Sequence, residues 1–254
     1  MPTPEQQRAV AESFGVDAGK YDRNRPPYPE ALITRIAAGR RTVLDVGAGT
    51  GIAARQFQAA GCTVLAVEPD ARMAEFARST GVETELSTFE TWDAKGRRFD
   101  AVVAGTAWHW VDPVKGAAKA AEILRPNGRL ATFWHIFDLP EPIGQAFAAV
   151  YRRVVPDSPF DFDNGKSMLE LYQAQFDRTA DGMRQAGFDE PEQWQYDWSR
   201  HYSRDEWLEL LSTHGSMTML AADQRAEILA GVEPALKEGF TLPYATVAVT
   251  ARIA

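Results

Sequence analysis

The chain has 254 residues, 45% hydrophobic and 24% charged, which suits one large domain with its own core and excludes wholesale disorder. A formal charge of −8 repels the phosphate backbone of nucleic acid and argues against that partner. The single cysteine, Cys62, excludes an internal disulfide and a multi-cysteine metal site, and with no run of about 18 apolar residues and no signal-like N-terminus, a cytoplasmic protein away from membranes is expected.

In chain order, Pro29 to Ala38 carries apolar residues at helical spacing and is followed by Gly39. Thr42 to Val46 is a short β-branched run stopped by Gly47-Ala-Gly-Thr-Gly51, after which helical spacing resumes from Ile52 to Ala60. Cys62 to Val67 repeats the strand pattern, Glu68-Pro-Asp70 follows, and Asp70 can cap a helix from Ala71 to Ser79. Val82 to Leu86 and Phe99 to Ala104 read as strands. Val114 to Leu124 reads as a helix closed by Arg125-Pro-Asn-Gly128, and Arg129 to Phe137 as a fifth strand.

Beyond Leu139 the alternation fades. Helices are predicted over Ile143 to Val154 and Met168 to Gln185, flanking an acidic, proline-containing loop from Pro156 to Asp163. Gln193 to Tyr202 and Tyr244 to Ile253 read as the sixth and seventh strands, with helices over Arg204 to Thr213 and Ala221 to Lys237 between them. Strands alternating with helices at this spacing predict an α/β fold, a mostly parallel sheet with helices on both faces.

Chemistry concentrates after the first strand. Glycines at alternate positions let a ligand approach the backbone at the crevice where open parallel sheets bind. A nicotinamide fingerprint needs G-x-G-x-x-G, but here Ile52 stands where its last glycine should be. Asp45, two residues before the first glycine, would repel a pyrophosphate and suits a cationic group; Glu68, closing strand two, suits ribose hydroxyls. Together they favour a nucleoside that carries an amino group and no pyrophosphate.

Val43 to Gly51, Glu68 to Asp70, Phe99 to Val103 and Leu124 to Leu130 resemble, in order and spacing, the motifs of class I S-adenosylmethionine-dependent methyltransferases. The segments Ser13 to Gly15, Tyr21 to Pro29 and Ala107 to Pro113 look like a bacterial small-molecule subgroup, similar to trans-aconitate and ubiquinone/menaquinone methyltransferases. The resemblance implies a Rossmann-like seven-stranded, mostly parallel sheet with an antiparallel last strand and S-adenosyl-L-methionine as cofactor. One methyltransferase domain, 1–254, is expected: a helical cap (1–40), a cofactor-binding core (41–137), a mostly helical insertion (138–192) and a C-terminal part completing the sheet (193–254).

By that resemblance Asp45, Gly47 and Gly49 face the methionine portion, Glu68 the ribose, and Thr88 and Phe89 the adenine, with Tyr21, Arg25, Ala48, Gly51, Pro69, Gly105 and Thr106 completing the cofactor site. Tyr28, Trp108, Trp110 and His135 are the candidate substrate contacts, and no metal is expected. His109, just past strand four, is the candidate general base for a hydroxyl or amine acceptor, against the alternative of a packing residue between two tryptophans. With a carboxylate acceptor no base is needed and Arg25 becomes an orienting partner. The expected reaction is methyl transfer to an oxygen, nitrogen or carbon of a small-molecule metabolite by a monomer or homodimer. The rivals are a nicotinamide oxidoreductase and a protein that binds S-adenosylmethionine without catalysis.

Overall fold

Seven strands form one sheet in the order β3-β2-β1-β4-β5-β7-β6. They are β1 (Thr42–Val46), β2 (Thr63–Glu68), β3 (Glu83–Leu86), β4 (Phe99–Gly105), β5 (Leu124–Ile136), β6 (Glu192–Ser203) and β7 (Gly239–Arg252). The computed structural model describes residues 13–158 and 165–253, so the far half of the loop expected from Pro156 to Asp163 and the start of the N-terminal cap lie outside the described residues. Strands β1 to β5 pair in parallel, and β7 runs antiparallel to β5, from Arg129 opposite Arg252 to Ile136 opposite Ala245.

The reversal of strand order between β1 and β4 creates the crevice in which open α/β sheets bind ligands at the carboxyl ends of their strands. Central β4 has nearly continuous burial, as a parallel strand covered on both faces must. The helices are set by local signals. Asp70 accepts the backbone N–H groups of Arg72 and Met73 to start the helix Ala71–Ser79, and Asp112 does the same for Pro113–Ile123. Ser203 and Glu206 close a reciprocal capping box at the head of Arg204–Leu211.

Three boundaries depart from the sequence pattern. A helix over Ala18–Asn24 forms without an apolar period because Asp17 caps it through the Lys20 N–H. A short helix, Gly215–Thr218, was likewise invisible to periodicity. Strand β5 begins at Leu124 rather than Arg129: Leu124 pairs with Phe99, and Asn127 at φ 61° turns the chain before regular pairing resumes at Arg129.

The chain divides into two compact units. One comprises Met1–Arg25, Phe137–Leu171 and Asp197–Tyr244; the other comprises Pro26–Ile136, Tyr172–Tyr196 and Ala245–Ala254. In the first, the helices Glu141–Val154 and Ala222–Leu236 cross closely enough that a Cβ on Gly231 would come 2.8 Å from Val150, and Trp207, Tyr202, Leu242 and Tyr244 belong to its core. In the second, the helix Glu30–Ala37 contributes Leu32, Ile33 and Ile36, and Ile52–Ala59 contributes Ala53, Ala54 and Phe57, to a core shared with Val43, Val103 and Phe133. The helix Met168–Gln185 has its first residues, to Leu171, in the first unit and the rest, from Tyr172, in the second.

Candidate functional site

The carboxyl ends of β1, β2 and β4 carry the chemistry. Strand β1 delivers Asp45, 1% exposed, and among the described residues neither of its carboxylate oxygens is engaged in a well-formed hydrogen bond, although the Ala54 backbone N–H is close enough to favour its charged form. Burial pushes its pKa up to about 8, with the nearby charge of Glu68 adding to the rise and the Ala54 backbone N–H opposing it. A carboxylate this isolated is costly to ionise unless a cation arrives.

The turn that follows is left-handed at Gly47 (φ 63°), Gly49 (φ 57°) and Gly51 (φ 86°). The three glycines serve different ends. A Cβ on Gly47 would lie 2.7 Å from the Ala107 Cβ, and one on Gly51 3.1 Å from Val82, so both positions are closed by packing. A Cβ on Gly49 would meet nothing within 4 Å, leaving space beside the backbone that a ligand can fill. Between them Ala48 is half-buried, and the N–H groups of Gly47 and Ala48 point to the Val67 carbonyl, tying the turn to β2.

Glu68 closes β2 at 6% exposed and accepts from the Gly49 N–H at 2.8 Å and the Asp70 N–H at 2.9 Å. Burial raises its pKa to about 7, against those two hydrogen bonds. Each carboxylate oxygen keeps a second lone pair for a hydroxyl. Pro69 beside it is exposed. Past β3, Thr88 is exposed with its hydroxyl 2.8 Å from that of Thr91, whereas Phe89 is buried in ring contact with Trp108.

At the end of β4 the backbone is strained. Thr106, a β-branched residue, sits at φ 53°, held by its N–H to the Phe133 carbonyl at 2.7 Å and by its hydroxyl 3.1 Å from the Tyr28 hydroxyl. Gly105 lets that tyrosine in, since a Cβ there would lie 2.7 Å from the Tyr28 oxygen. Gln56 fixes Tyr28 by accepting from its backbone N–H and donating to its carbonyl, and the Tyr28 ring stacks on His135 at 4.4 Å. His135 Nδ1 is in turn 2.9 Å from the Thr246 hydroxyl.

The turn Trp108–Trp110 separates its three residues. Trp108 is fully buried and packs so tightly that a Cβ on Gly116 would lie 3.2 Å from its ring, whereas Trp110 is 37% exposed. His109 accepts at Nδ1 from the indole N–H of Trp134 at 3.3 Å. An indole nitrogen only donates, so Nδ1 is the acceptor and the proton resides on Nε2. Burial pulls the His109 pKa down to about 4.

A family profile described as a methyltransferase domain matches residues 44–132, the segment from β1 to β5. An uncharacterized methyltransferase of Mycobacterium tuberculosis is 30% identical over 267 residues, covering 98% of both chains. The chain belongs to the class I S-adenosylmethionine-dependent methyltransferases. Its fold agrees: a solved structure from Anaeromyxobacter dehalogenans, described as a type II methyltransferase, superposes with a TM-score of 0.61 at 21% identity, covering 90% of this chain and 97% of that one. The phosphoethanolamine N-methyltransferase 2 of Haemonchus contortus, solved with S-adenosyl-L-methionine, superposes with a TM-score of 0.53 at 14% identity, covering 94% of this chain and 57% of that one.

As a member of this class the methyltransferase takes S-adenosylmethionine as its methyl donor, which sets aside the nicotinamide alternative. The residues fit that group: a buried carboxylate at Asp45 with no charged or side-chain partner among the described residues suits a cationic ligand, and the open flank of Gly49 gives it room. Sixteen of the expected site residues, from Tyr28 to His135, fall in one unit of the methyltransferase, while Tyr21 and Arg25 belong to the other, where the Arg25 guanidinium lies over the Tyr21 ring and donates to the Thr213 carbonyl at 2.8 Å. Trp134, the partner of His109, escaped sequence reasoning because it stands 25 residues away on β5 and only strand pairing makes them neighbours.

Proposed function

We propose that this enzyme methylates a small-molecule metabolite, with the donor held by the β1 turn and the end of β2. The observation that carries this reading is the Asp45 carboxylate, buried with no charged or side-chain partner among the described residues, in the strand that leads into a turn where the left-handed Gly49 has an open flank. When bound, S-adenosylmethionine supplies a methyl group on a positively charged sulfur. Asp45 orients its ammonium, Glu68 accepts from the ribose hydroxyls, and Gly49 admits the chain between them. Thr88 borders the adenine, Phe89 supports that wall from the core, and the Tyr28, Gly105 and Thr106 cluster shapes the floor near the transferred methyl. Trp110 and His135 face the acceptor, and the enzyme works in the cytoplasm as a monomer or homodimer.

The test is calorimetric titration of S-adenosylhomocysteine, followed by methyl-transfer assays on a metabolite panel. Glu68→Ala is expected to weaken binding at least about tenfold, the loss of one charge-assisted hydrogen-bond pair. An unchanged dissociation constant in a folded variant removes Glu68 from the site.

His109 fits a donor better than a base. Its proton is on Nε2, its Nδ1 is occupied, and a pKa of about 4 leaves little basicity near neutral pH. We expect His109→Ala to keep turnover within roughly tenfold of the parent, below the range that losing a general base produces. Turnover lower by roughly a hundredfold with unchanged cofactor affinity would restore the base assignment. Because the folded pKa lies below the ordinary histidine value, the unfolded chain binds the extra proton, and the stability His109 contributes is present above about pH 6.5 and lost as pH falls towards 4.

A further inference from the structure

The amino end of the parallel strands, opposite the donor turn, carries a cavity of about 470 Å³ lined by Arg35, Arg40, Arg129 and Arg252. That volume falls in the range of small-molecule sites, about 300–1,000 Å³. Local structure gathers the four arginines within one unit. Arg35 is in the last turn of the helix Glu30–Ala37, Arg40 stands two residues before β1, and Arg129 and Arg252 are opposite each other in the β5–β7 pair. Strand β1, 5 residues at about 3.3 Å each, sets the cavity roughly 15 Å from the donor turn.

Two carboxylates reach the same cavity, and both are engaged. Glu192 accepts from the Trp194 indole N–H at 3.0 Å and lies 3.6 Å from Arg129 and 3.8 Å from Arg35. Asp100 pairs with Arg125 at 3.2 Å and accepts from the backbone N–H groups of Arg41 and Thr42, both at 2.9 Å. Neither Arg40 nor Arg252 makes an ion pair among the described residues. Arg40 donates through Nη1 to the carbonyls of Ile36 and Ala38, while its buried Nε has no partner.

The guanidiniums also feel one another. Burial and the charge of Arg252 pull the Arg40 pKa down, and burial with the charges of Arg40 and Arg252 does the same to Arg129, against Glu192. Arginine does not escape this repulsion by losing its proton, so two positive charges stay in the cavity without a carboxylate of their own. The walls are fixed in advance. The guanidinium carbons of Arg35 and Arg129 lie 3.6 and 4.9 Å from the centre of the Trp194 ring, and Arg129, 4% exposed, also donates to the Thr250 hydroxyl at 2.9 Å. An anion entering here meets held donors and relieves the repulsion between them.

We propose that this arginine-lined cavity binds a phosphate dianion, free or as the monoester group of a small phosphorylated metabolite, at a site separate from the donor crevice. Charge selects that class: a carboxylate or a phosphodiester brings one negative charge and leaves a guanidinium unanswered, whereas a phosphate monoester carries about −1.5 to −2 at pH 7. Arginine forks match phosphate oxygens two at a time. The proposal does not rest on the methyl-transfer reading above.

The test titrates the full chain by calorimetry with inorganic phosphate, glycerol 3-phosphate and dimethyl phosphate at one ionic strength set with chloride, and follows the Arg40 Nε–H in ¹⁵N spectra assigned with Arg40→Lys. At least one of the two dianions is expected to bind about tenfold or more tighter than the diester and to shift the Arg40 resonance. Inorganic phosphate binding as tightly as the monoester assigns the site to the free ion, and a preference for the monoester assigns it to a metabolite. Arg252→Gln, at an exposed side chain with no ion pair among the described residues, should cut the affinity by about tenfold. Saturating S-adenosylhomocysteine should leave phosphate affinity as it was. Dianions no better than the diester, an Arg40 resonance that stays still, or competition between phosphate and S-adenosylhomocysteine would each overturn the proposal, the last by placing the anion in the donor crevice.

Discussion

Gly49→Val is expected to lower S-adenosylhomocysteine affinity by roughly a hundredfold or more, about 2.7 kcal/mol, while the enzyme still folds. The position has two properties that separate its role from that of its neighbours: φ is 57°, and a Cβ would find nothing within 4 Å. The branched side chain therefore does not collide with the protein but occupies the space assigned to the ligand. Its cost to the fold is the backbone strain alone, about 1–3 kcal/mol, or several degrees in Tm. Gly49→Ala shares that strain without the branch, so a much smaller loss of affinity in the alanine variant ties the effect to filled space. Gly47→Val should behave in the opposite way, since its first added carbon lies 2.7 Å from Ala107 and the damage falls on folding before binding. If Gly49→Val binds as the parent does, the turn is only a corner between strand and helix.

Affinity for S-adenosylhomocysteine is expected to rise with pH between about 6 and 7, by up to about tenfold per unit, and Asp45→Asn to abolish most of that rise. With a pKa near 8, Asp45 is mostly protonated at neutral pH in the empty enzyme. Receiving an ammonium group requires the carboxylate, so binding expels the proton, and removing protons from solution then favours binding. Glu68, with a pKa near 7, adds in the same direction if it too must ionise for the ribose. The empty enzyme carries the complementary signature. Both carboxyls have folded pKa values above their unfolded ones, so the stability linked to them is full below about pH 4 and is lost as pH rises towards 8. Calorimetry in buffers of different ionisation enthalpy counts the released protons directly. A flat affinity profile with no proton release would mean that Asp45 stays neutral in the complex and does not meet a cation.

Much of this was legible in the sequence because it is local. The helix Ala71–Ser79 and its Asp70 cap, strand β1 with its glycine turn, and Glu68 at the end of β2 follow from side-chain period, capping chemistry and glycine spacing within about ten residues of each other. Within the helical cap expected over 1–40, the bounds of the helix Ala18–Asn24 are not legible, because it has no apolar period to mark them, only a cap at Asp17.

What only the tertiary structure decided are the states of groups that depend on remote neighbours. Sequence alone assigned His109 an ordinary pKa and an available nitrogen; burial and Trp134, brought alongside by the pairing of β4 with β5, change both. The glycines at 47, 49 and 51 look alike in the motif, yet Ala107 and Val82 close two of them and leave the third open. Arg25 reads in the sequence as a cofactor contact, but the fold sets its guanidinium on the carbonyl of Thr213, 188 residues away. Secondary structure is written in short-range periods and caps, whereas desolvation and hydrogen-bond satisfaction depend on which distant side chains share a buried volume.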